Sequence, residues 1–497
     1  MISSCKILAG RLLLLFLVCG CFSDAHALPA FARKYGLRCS ACHESWPMLN
    51  YFGQKFKDNG YQLMNDRDAP IWQNPGYWPV VFRITPIWHR VSTGKVDVDT
   101  YSSVGGVPTP TGTAVQRISS SGFDLSGLDF HTGGTLEKNI SFYLLPSSDP
   151  TGAFHFEQVF VRFDNIFHSS WFNFKLGRFE LDNLLSEKRI LTLTGNGGIY
   201  QTYHFIPQGD GNIFGQIGDN QLGIEYLGHS ADDRTRISAS LISSSDGNVN
   251  LSTTANAYSA FFAGSQAFDA GRLGVQRIGF YAMAGEASTY YLTAGGLPIL
   301  GSGIGNKGFS REGFVGQFYA GPHIGLTVVT QHGSDNAWFG QGYGNAEATD
   351  GNGGTTCTAA PCPPNNVPGT TLPTGSQAPS WNGATFEGHY IYSPQLIFIG
   401  RYEFEKMSQQ ANGAGYTPGP QGVTNGFATA MPSNLGNIST YTIGFRYNPF
   451  MTSRAGLAWH NEYNWLHQDG TGPANLTTGA LTNLNTSEIL MGLDFDF

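Results

Sequence analysis

"STYTIGFRYN", residues 439–448, sets Tyr441, Ile443, Phe445 and Tyr447 on one face of an extended chain and Thr440, Thr442, Gly444 and Arg446 on the other. Successive side chains of a strand point to opposite faces, so a period of two marks a β-strand with one apolar and one polar side. The alternation returns in "LIFIGRYEFE", residues 396–405, where Leu396, Phe398, Tyr402 and Phe404 oppose Arg401, Glu403 and Glu405. It returns again in "SEILMGLDFDF", residues 487–497, where Ile489, Met491, Leu493, Phe495 and Phe497 oppose Asp494 and Asp496.

A soluble sandwich also alternates, and a secreted β-rich adhesin is the competing reading. Three features favour a barrel in a membrane. The apolar face is rich in aromatics while the other carries charges of both signs, as expected with lipid outside and water inside. The chain stops at an aromatic residue, Phe497, on a strand, which resembles the assembly signal of bacterial outer-membrane barrels. The connections alternate in length. Short ones are expected near 166–170, 229–235, 268–273, 321–323, 392–395 and 448–454, and long polar ones near 94–118, 183–220, 289–307, 339–379, 410–436 and 468–486. Short periplasmic turns and long outer loops are the asymmetry of outer-membrane barrels.

The count is about sixteen strands, an even number that leaves both barrel ends on one side. "WFNFKLGRFELD", residues 171–182, departs from the pattern: Phe172, Phe174 and Leu176 share a face, then Phe179 and Leu181 take the other. A bulge around Gly177, or a misread strand end, would produce this.

Composition agrees. Of 497 residues, 13% are charged and 13% aromatic, with 65 glycines, and no uninterrupted apolar run is long enough for a spanning helix. The net charge of −8 is spread too thinly to decide a partner, and no nucleic-acid partner is expected. No nucleophile–base constellation of a hydrolase or transferase is recognisable.

The first residues read differently. Lys6 and Arg11 precede the apolar run Leu12 to Val18, and Ala25-His26-Ala27 supplies small residues for cleavage. This is a secretory signal peptide with cleavage expected after Ala27. Its removal leaves four of the seven cysteines, as Cys39/Cys42 and Cys357/Cys362. The second pair lies in a Gly/Pro/Thr-rich stretch, where a small disulfide loop is expected in an oxidising compartment.

Cys39-Ser40-Ala41-Cys42-His43 is C-x-x-C-H, the pattern in which two thiols attach a haem and the adjacent histidine ligates its iron. A thioredoxin-like pair would need a βαβ context and a zinc site a second ligand pair, and neither surrounds the motif; a plain disulfide stays open. "PMLNYFGQKFKDNGY", residues 47–61, follows. It places Pro47 at a helix start, apolar Leu49, Phe52 and Phe56 on one side, and Gly60 where the helix stops. Those phenylalanines either cover a haem face or pack on another part of the protein. A unit of roughly forty residues is too small for a conventional core and must lean on haem or on a partner surface.

"LPAFARKYGLRCSACHESWPMLNYFGQKFKDNGYQ", residues 28–62, followed by a barrel-like region, resembles the fused monohaem cytochrome c–porins of bacterial outer membranes. That family includes the outer-membrane iron oxidases. The likeness lies in the Phe-Ala-Arg opening, C-x-x-C-H, the helix with its Phe-Gly pair and the Asn-Gly-Tyr ending; over the barrel it is one of layout. The resemblance implies one covalent haem c on Cys39 and Cys42, His43 as axial ligand, and electron transfer across the outer membrane.

The expected organisation is a signal peptide over 1–27, a small α-helical haem c segment over 28–64, a linker over 65–77 and an outer-membrane β-barrel of about sixteen antiparallel strands over 78–497. A barrel that wide encloses an aqueous lumen. The haem segment hangs in the periplasm or plugs the lumen, where it would bring haem toward the outer loops with Arg401, Glu403, Arg446 and Asp494 as wall contacts. Met48, Met64 and His89 are within chain reach as a sixth ligand. Two functions compete. One is a conduit taking electrons from an extracellular metal ion, ferrous iron foremost, to a periplasmic c-type cytochrome or other acceptor, which would make the chain an iron:cytochrome c oxidoreductase. The other is a diffusion porin whose haem segment gates or senses.

Overall fold

The computed structural model describes residue 31, residues 34–37, 39–45, 48–63, 80–148, 152–182, 193, 217, 221–243, 258–289, 305–336, 378, 380–409, 422–424, 427–429, 437–451, 455–469 and 483–496. The signal peptide, the linker, Met64, Phe497 and the Cys357/Cys362 pair lie outside these residues.

Sixteen antiparallel strands close into one barrel. They are β1 (Val80–Val104), β2 (Val107–Glu137), β3 (Ile140–Ser148), β4 (Phe154–Phe163), β5 (Asn173–Phe179), β6 (Gln221–His229), β7 (Thr235–Ser243) and β8 (Tyr258–Asp269). The second half comprises β9 (Val275–Thr289), β10 (Gly305–Tyr319), β11 (Ile324–Asp335), β12 (Ser380–Ser393), β13 (Leu396–Gln409), β14 (Ile438–Met451), β15 (Gly456–Gln468) and β16 (Leu484–Asp496). Each pairs with its sequence neighbours, and β16 pairs with β1 from Asn485↔Gly94 to Asp496↔Arg83. Closure leaves no sheet edge along the wall, the condition for crossing lipid with strands.

The alternation holds in three dimensions. On β14, Tyr441 and Ile443 are exposed while Thr442 and Arg446 are buried. On β13, Phe398 faces outward while Arg401, Glu403 and Glu405 are buried inside, and on β16 Ile489, Met491 and Leu493 oppose Asp494 and Asp496. Outward side chains around the wall include Val161, Ile224, Phe280, Phe314 and Phe386, an apolar belt that only lipid would cover favourably.

The short connections join β4 to β5, β6 to β7, β8 to β9, β10 to β11, β12 to β13 and β14 to β15, where the sequence placed them. A seventh, at Lys138–Asn139 between β2 and β3, is not signalled by Gly or Pro; Asn139 takes the left-handed conformation with φ 65°. All seven lie at one end, together with the start of β1 and the finish of β16.

Two expectations change. Residues 94–118 are not a loop: β1 and β2 stay paired to Val104↔Val107. The polar composition hid strands rich in Val and Thr, and Gly105 and Gly106, at φ 62° and 83°, supply the two positive angles of a tight hairpin turn. Beyond Gly94 on one side and Asp129 on the other, neighbouring strands no longer pair with this hairpin, so it extends as a two-stranded ribbon. No bulge occurs at Gly177 either. β5 pairs in continuous register with β4 and β6, and Phe179 points inward in phase with Asn173 and Lys175.

That inward Phe179 belongs to an apolar cluster inside the barrel. Phe160, Leu181, Ile217, Ile242, Phe261 and Tyr281 pack with it. Leu181 and Ile217, from the residues between β5 and β6, are buried in this cluster. Along this side the described interior residues form an apolar pack.

Candidate functional site

The C-x-x-C-H motif begins on one helical turn, α1 (Cys39–Cys42), and leads into a short ladder that pairs His43 with Leu49 and Ser45 with Met48. One turn brings positions i and i+3 to the same face, which places residues 39 and 42 side by side. Cys42 forms no disulfide, and burial pushes its thiol up to about 11. His43 is buried.

The second helix is α2 (Tyr51–Asp58). It starts at Asn50, not at Pro47 as expected, because Asn50 is the N-cap: its Oδ1 accepts the Gly53 N–H at 2.9 Å. The same residue ties both helices together. Its own N–H donates to the Cys42 carbonyl at 2.9 Å, and its Nδ2 donates to the carbonyls of Ser40 and Ala41 at 3.2 and 3.1 Å. Gly53 is what lets the helices touch, since a Cβ there would lie 2.0 Å from the Cys42 carbonyl oxygen. The glycine of the Phe-Gly pair is thus a contact requirement of the motif.

At the other end, Gly60 has φ 71° and Tyr61 φ 60°, and Tyr61 N–H closes on the Phe56 carbonyl at 3.1 Å. A Cβ on Gly60 would meet Asp164 Oδ2 at 2.2 Å, so the Asn-Gly-Tyr ending is shaped to dock on the wall. Phe56 packs against Phe31, Tyr35 and Tyr61 with ring centroids 5.3–6.3 Å apart, while Phe52 stays exposed.

Charge pairs tie this segment to buried residues of the strands and their connections. Lys57 Nζ is 2.7 Å from Asp182 Oδ1, and the other Asp182 oxygen is 2.8 Å from Lys175, which also reaches Glu225 at 2.6 Å. Asp58 pairs with Arg236 at 2.7 Å. Arg162 Nη1 donates to the Lys57 carbonyl at 3.0 Å and Nη2 to the Asp58 carbonyl, placing a cation on the negative end of α2. Tyr51 donates to the Asp232 carbonyl, and Glu44 lies 3.3 Å from His389. Arg162, Arg236, Asp232 and His389 sit in or close to the short turns, while Asp182 reaches the segment from the residues that follow β5.

The environment polarises the acids. Burial opposes ionisation of Asp58, but Arg236 and Lys57 outweigh it and hold the carboxyl below its usual range. Asp182 follows the same balance through Lys175 and Lys57 and falls further. Asp233, in the β6–β7 turn, goes the other way: burial and the neighbouring Asp58 push it up to about 8.

Arg401, Glu403, Arg446 and Asp494, expected as wall contacts, are all buried. Arg401 pairs with Glu403 at 3.1 Å, and Arg446 with Asp494 at 3.2 Å while donating to the carbonyl of Leu193, another residue between β5 and β6. The residues that meet the segment, Arg162 and Arg236 on strands and Asp182 just after β5, carry no mark in the sequence beyond being charges. Of the expected sixth ligands, Met48 is buried against Leu193, Ile397 and Ile399, and His89 on β1 faces Glu488 at 3.7 Å.

Closed, sixteen-stranded, apolar outside and charged inside, the chain is a porin-type β-barrel. No protein-family model matches the sequence, nor does any curated protein. Solved structures share the architecture. The outer-membrane channel DcaP of Acinetobacter baumannii is 13% identical over 84% of this chain and 97% of its own, with a TM-score of 0.42. An anion-selective porin from Comamonas acidovorans is 11% identical over 84% and 99%, at 0.45, and Pseudomonas putida OprB 11% identical over 92% and 99%, at 0.44.

Proposed function

We propose that the chain is an outer-membrane cytochrome–porin that moves electrons from an extracellular donor, ferrous iron foremost, to a periplasmic c-type cytochrome through one haem c. The observation that carries this reading is the anchoring of the C-x-x-C-H segment to the barrel's inner wall by buried ion pairs, which makes cytochrome-like segment and barrel one unit. One electron leaves each ferrous ion, which becomes ferric, and reduces one molecule of oxidised acceptor cytochrome.

The residues fit the cofactor. Cys39 and Cys42 stand at i and i+3 of one turn, Cys42 is in no disulfide, and His43 follows immediately. Cys39 and Cys42 would hold the haem through thioethers and His43 would ligate its iron. Bound there, the haem supplies a carrier of one electron. Asn50 keeps the turn in place, Gly53 permits the close helix contact, and the Lys57 and Asp58 ion pairs hold the unit against the wall.

The second reading, a diffusion porin whose segment gates the pore, is favoured by the electrostatic character of the anchor, which one change of charge would loosen. Purified protein in liposomes, exposed to external ferrous iron and followed by haem absorbance, decides between them. Reduction of the haem supports the conduit; a haem that stays oxidised while the liposomes leak small solutes supports the gated porin.

A further inference from the structure

We propose that Tyr319 and His389 of the wall are positioning residues for the haem's axial ligand: by gripping Glu44 from two strands they set how the adjacent His43 is presented. The inference rests on the haem reading above and extends it from the motif to the barrel.

The ladder that carries His43 is irregular. His43 pairs with Leu49 and Ser45 with Met48, so Glu44 is the extra residue between two pairs, a bulge of the kind that re-aims a side chain. Glu44 reaches the wall. Its Oε2 lies 3.3 Å from His389 Nε2 on β12, with the two side chains only 15% and 2% exposed, and the Tyr319 hydroxyl at the end of β10 donates to the same carboxylate. Contacts so far removed from water are weakly screened.

Both partners are held from behind. The His389 ring lies across Gly325, its cross-strand neighbour on β11, where a Cβ would lie 2.3 Å from the ring carbon Cε1. Gln276 grips the backbone of Tyr319 at both polar atoms, its Oε1 accepting the N–H at 2.7 Å and its Nε2 donating to the carbonyl at 3.1 Å. On the other side of His43, the Cys42 carbonyl accepts the Asn50 N–H at 2.9 Å. His43 thus stands between one neighbour tied to the cap of α2 and another tied to the wall, which leaves its backbone little freedom. Groups that orient a metal's ligand from outside tune the metal itself, and here that role falls to strands far along the chain from the motif.

The test uses the full chain with covalent haem in its membrane. Gly325→Ala removes no polar group and no charge, yet pushes the His389 ring off its seat; Tyr319→Phe removes one hydroxyl. Each should shift the Soret maximum and the midpoint potential of the haem, while covalent loading and the heat-modifiable band stay as in the parent. In a Glu44→Ala background neither should change anything further, because the effect passes through Glu44. His389→Gln, whose amide can still donate to Glu44, should fall closer to the parent than His389→Ala. An unchanged spectrum and potential in both Gly325→Ala and Tyr319→Phe overturn the assignment, as does a shift that persists undiminished without Glu44. A parent with no covalent haem, recognised by its denatured spectrum, overturns this assignment together with the reading beneath it.

Discussion

Lys57, at the end of the helix that follows the C-x-x-C-H motif, lies 2.7 Å from Asp182, three residues beyond the end of β5. The two residues are 125 positions apart in the chain, and both are buried. Removing Lys57 leaves Asp182 with Lys175 alone, so the loss is smaller than the roughly 3–5 kcal/mol of a fully orphaned buried charge.

Lys57→Met should therefore loosen the segment without opening the barrel. In planar bilayers the variant is expected to show larger or more frequent open events than the parent, and Asp58→Asn should behave alike through its lost pair with Arg236. Deletion of 28–64 gives the upper limit of conductance. Equal currents in parent, variants and deletion would mean that the segment does not obstruct the pore.

The segment's seating should respond to pH in a definite sense. Asp233 has a folded pKa of about 8 against 3.8 for the unanchored group, so its stabilising contribution is complete below about 4 and disappears as pH rises through 8. Asp58 and Asp182 are depressed, and their contribution is present above the ordinary carboxyl range and lost on acidification. Protease sensitivity of the segment should thus rise toward pH 9, and Asp233→Asn should flatten that alkaline limb. A parent whose sensitivity stays constant from pH 5 to 9 would contradict this assignment of Asp233.

Replacing Cys39 or Cys42 with serine should abolish or alter the thioether haem spectrum of the denatured protein. A double replacement that keeps the full covalent signal would exclude attachment at this motif.

The barrel itself predicts a compact, heat-modifiable band in detergent gels and recovery with outer membranes, since a closed wall offers no edge from which to unzip. Recovery as a soluble periplasmic protein would refute it.

The strands were legible where lipid and lumen impose opposite demands on alternate residues, as on 438–451 and 484–496. They were obscured where charged, Ser, Thr and Gly residues outnumber a few valines, as in the hairpin of residues 94–118, and where the inward face is apolar, as at Phe179. Within the site, the motif announces Cys39, Cys42 and His43, and the glycines at 53 and 60 stand in the quoted stretch. Their reason lies elsewhere: Gly53 answers to Cys42 and Gly60 to Asp164. The anchoring set could not be read, because Lys57 and Asp182, or Asp58 and Arg236, are joined only by the closure of the barrel and not by spacing along the chain.

The close contact at Gly53 also makes one position answerable to another. A Cβ there would lie 2.0 Å from the Cys42 carbonyl oxygen, so any side chain at 53 has to push α2 away from the turn that carries Cys39 and Cys42. The motif's shape is therefore set by a residue ten positions beyond it, and the helix that follows acts as a template for the turn that precedes it.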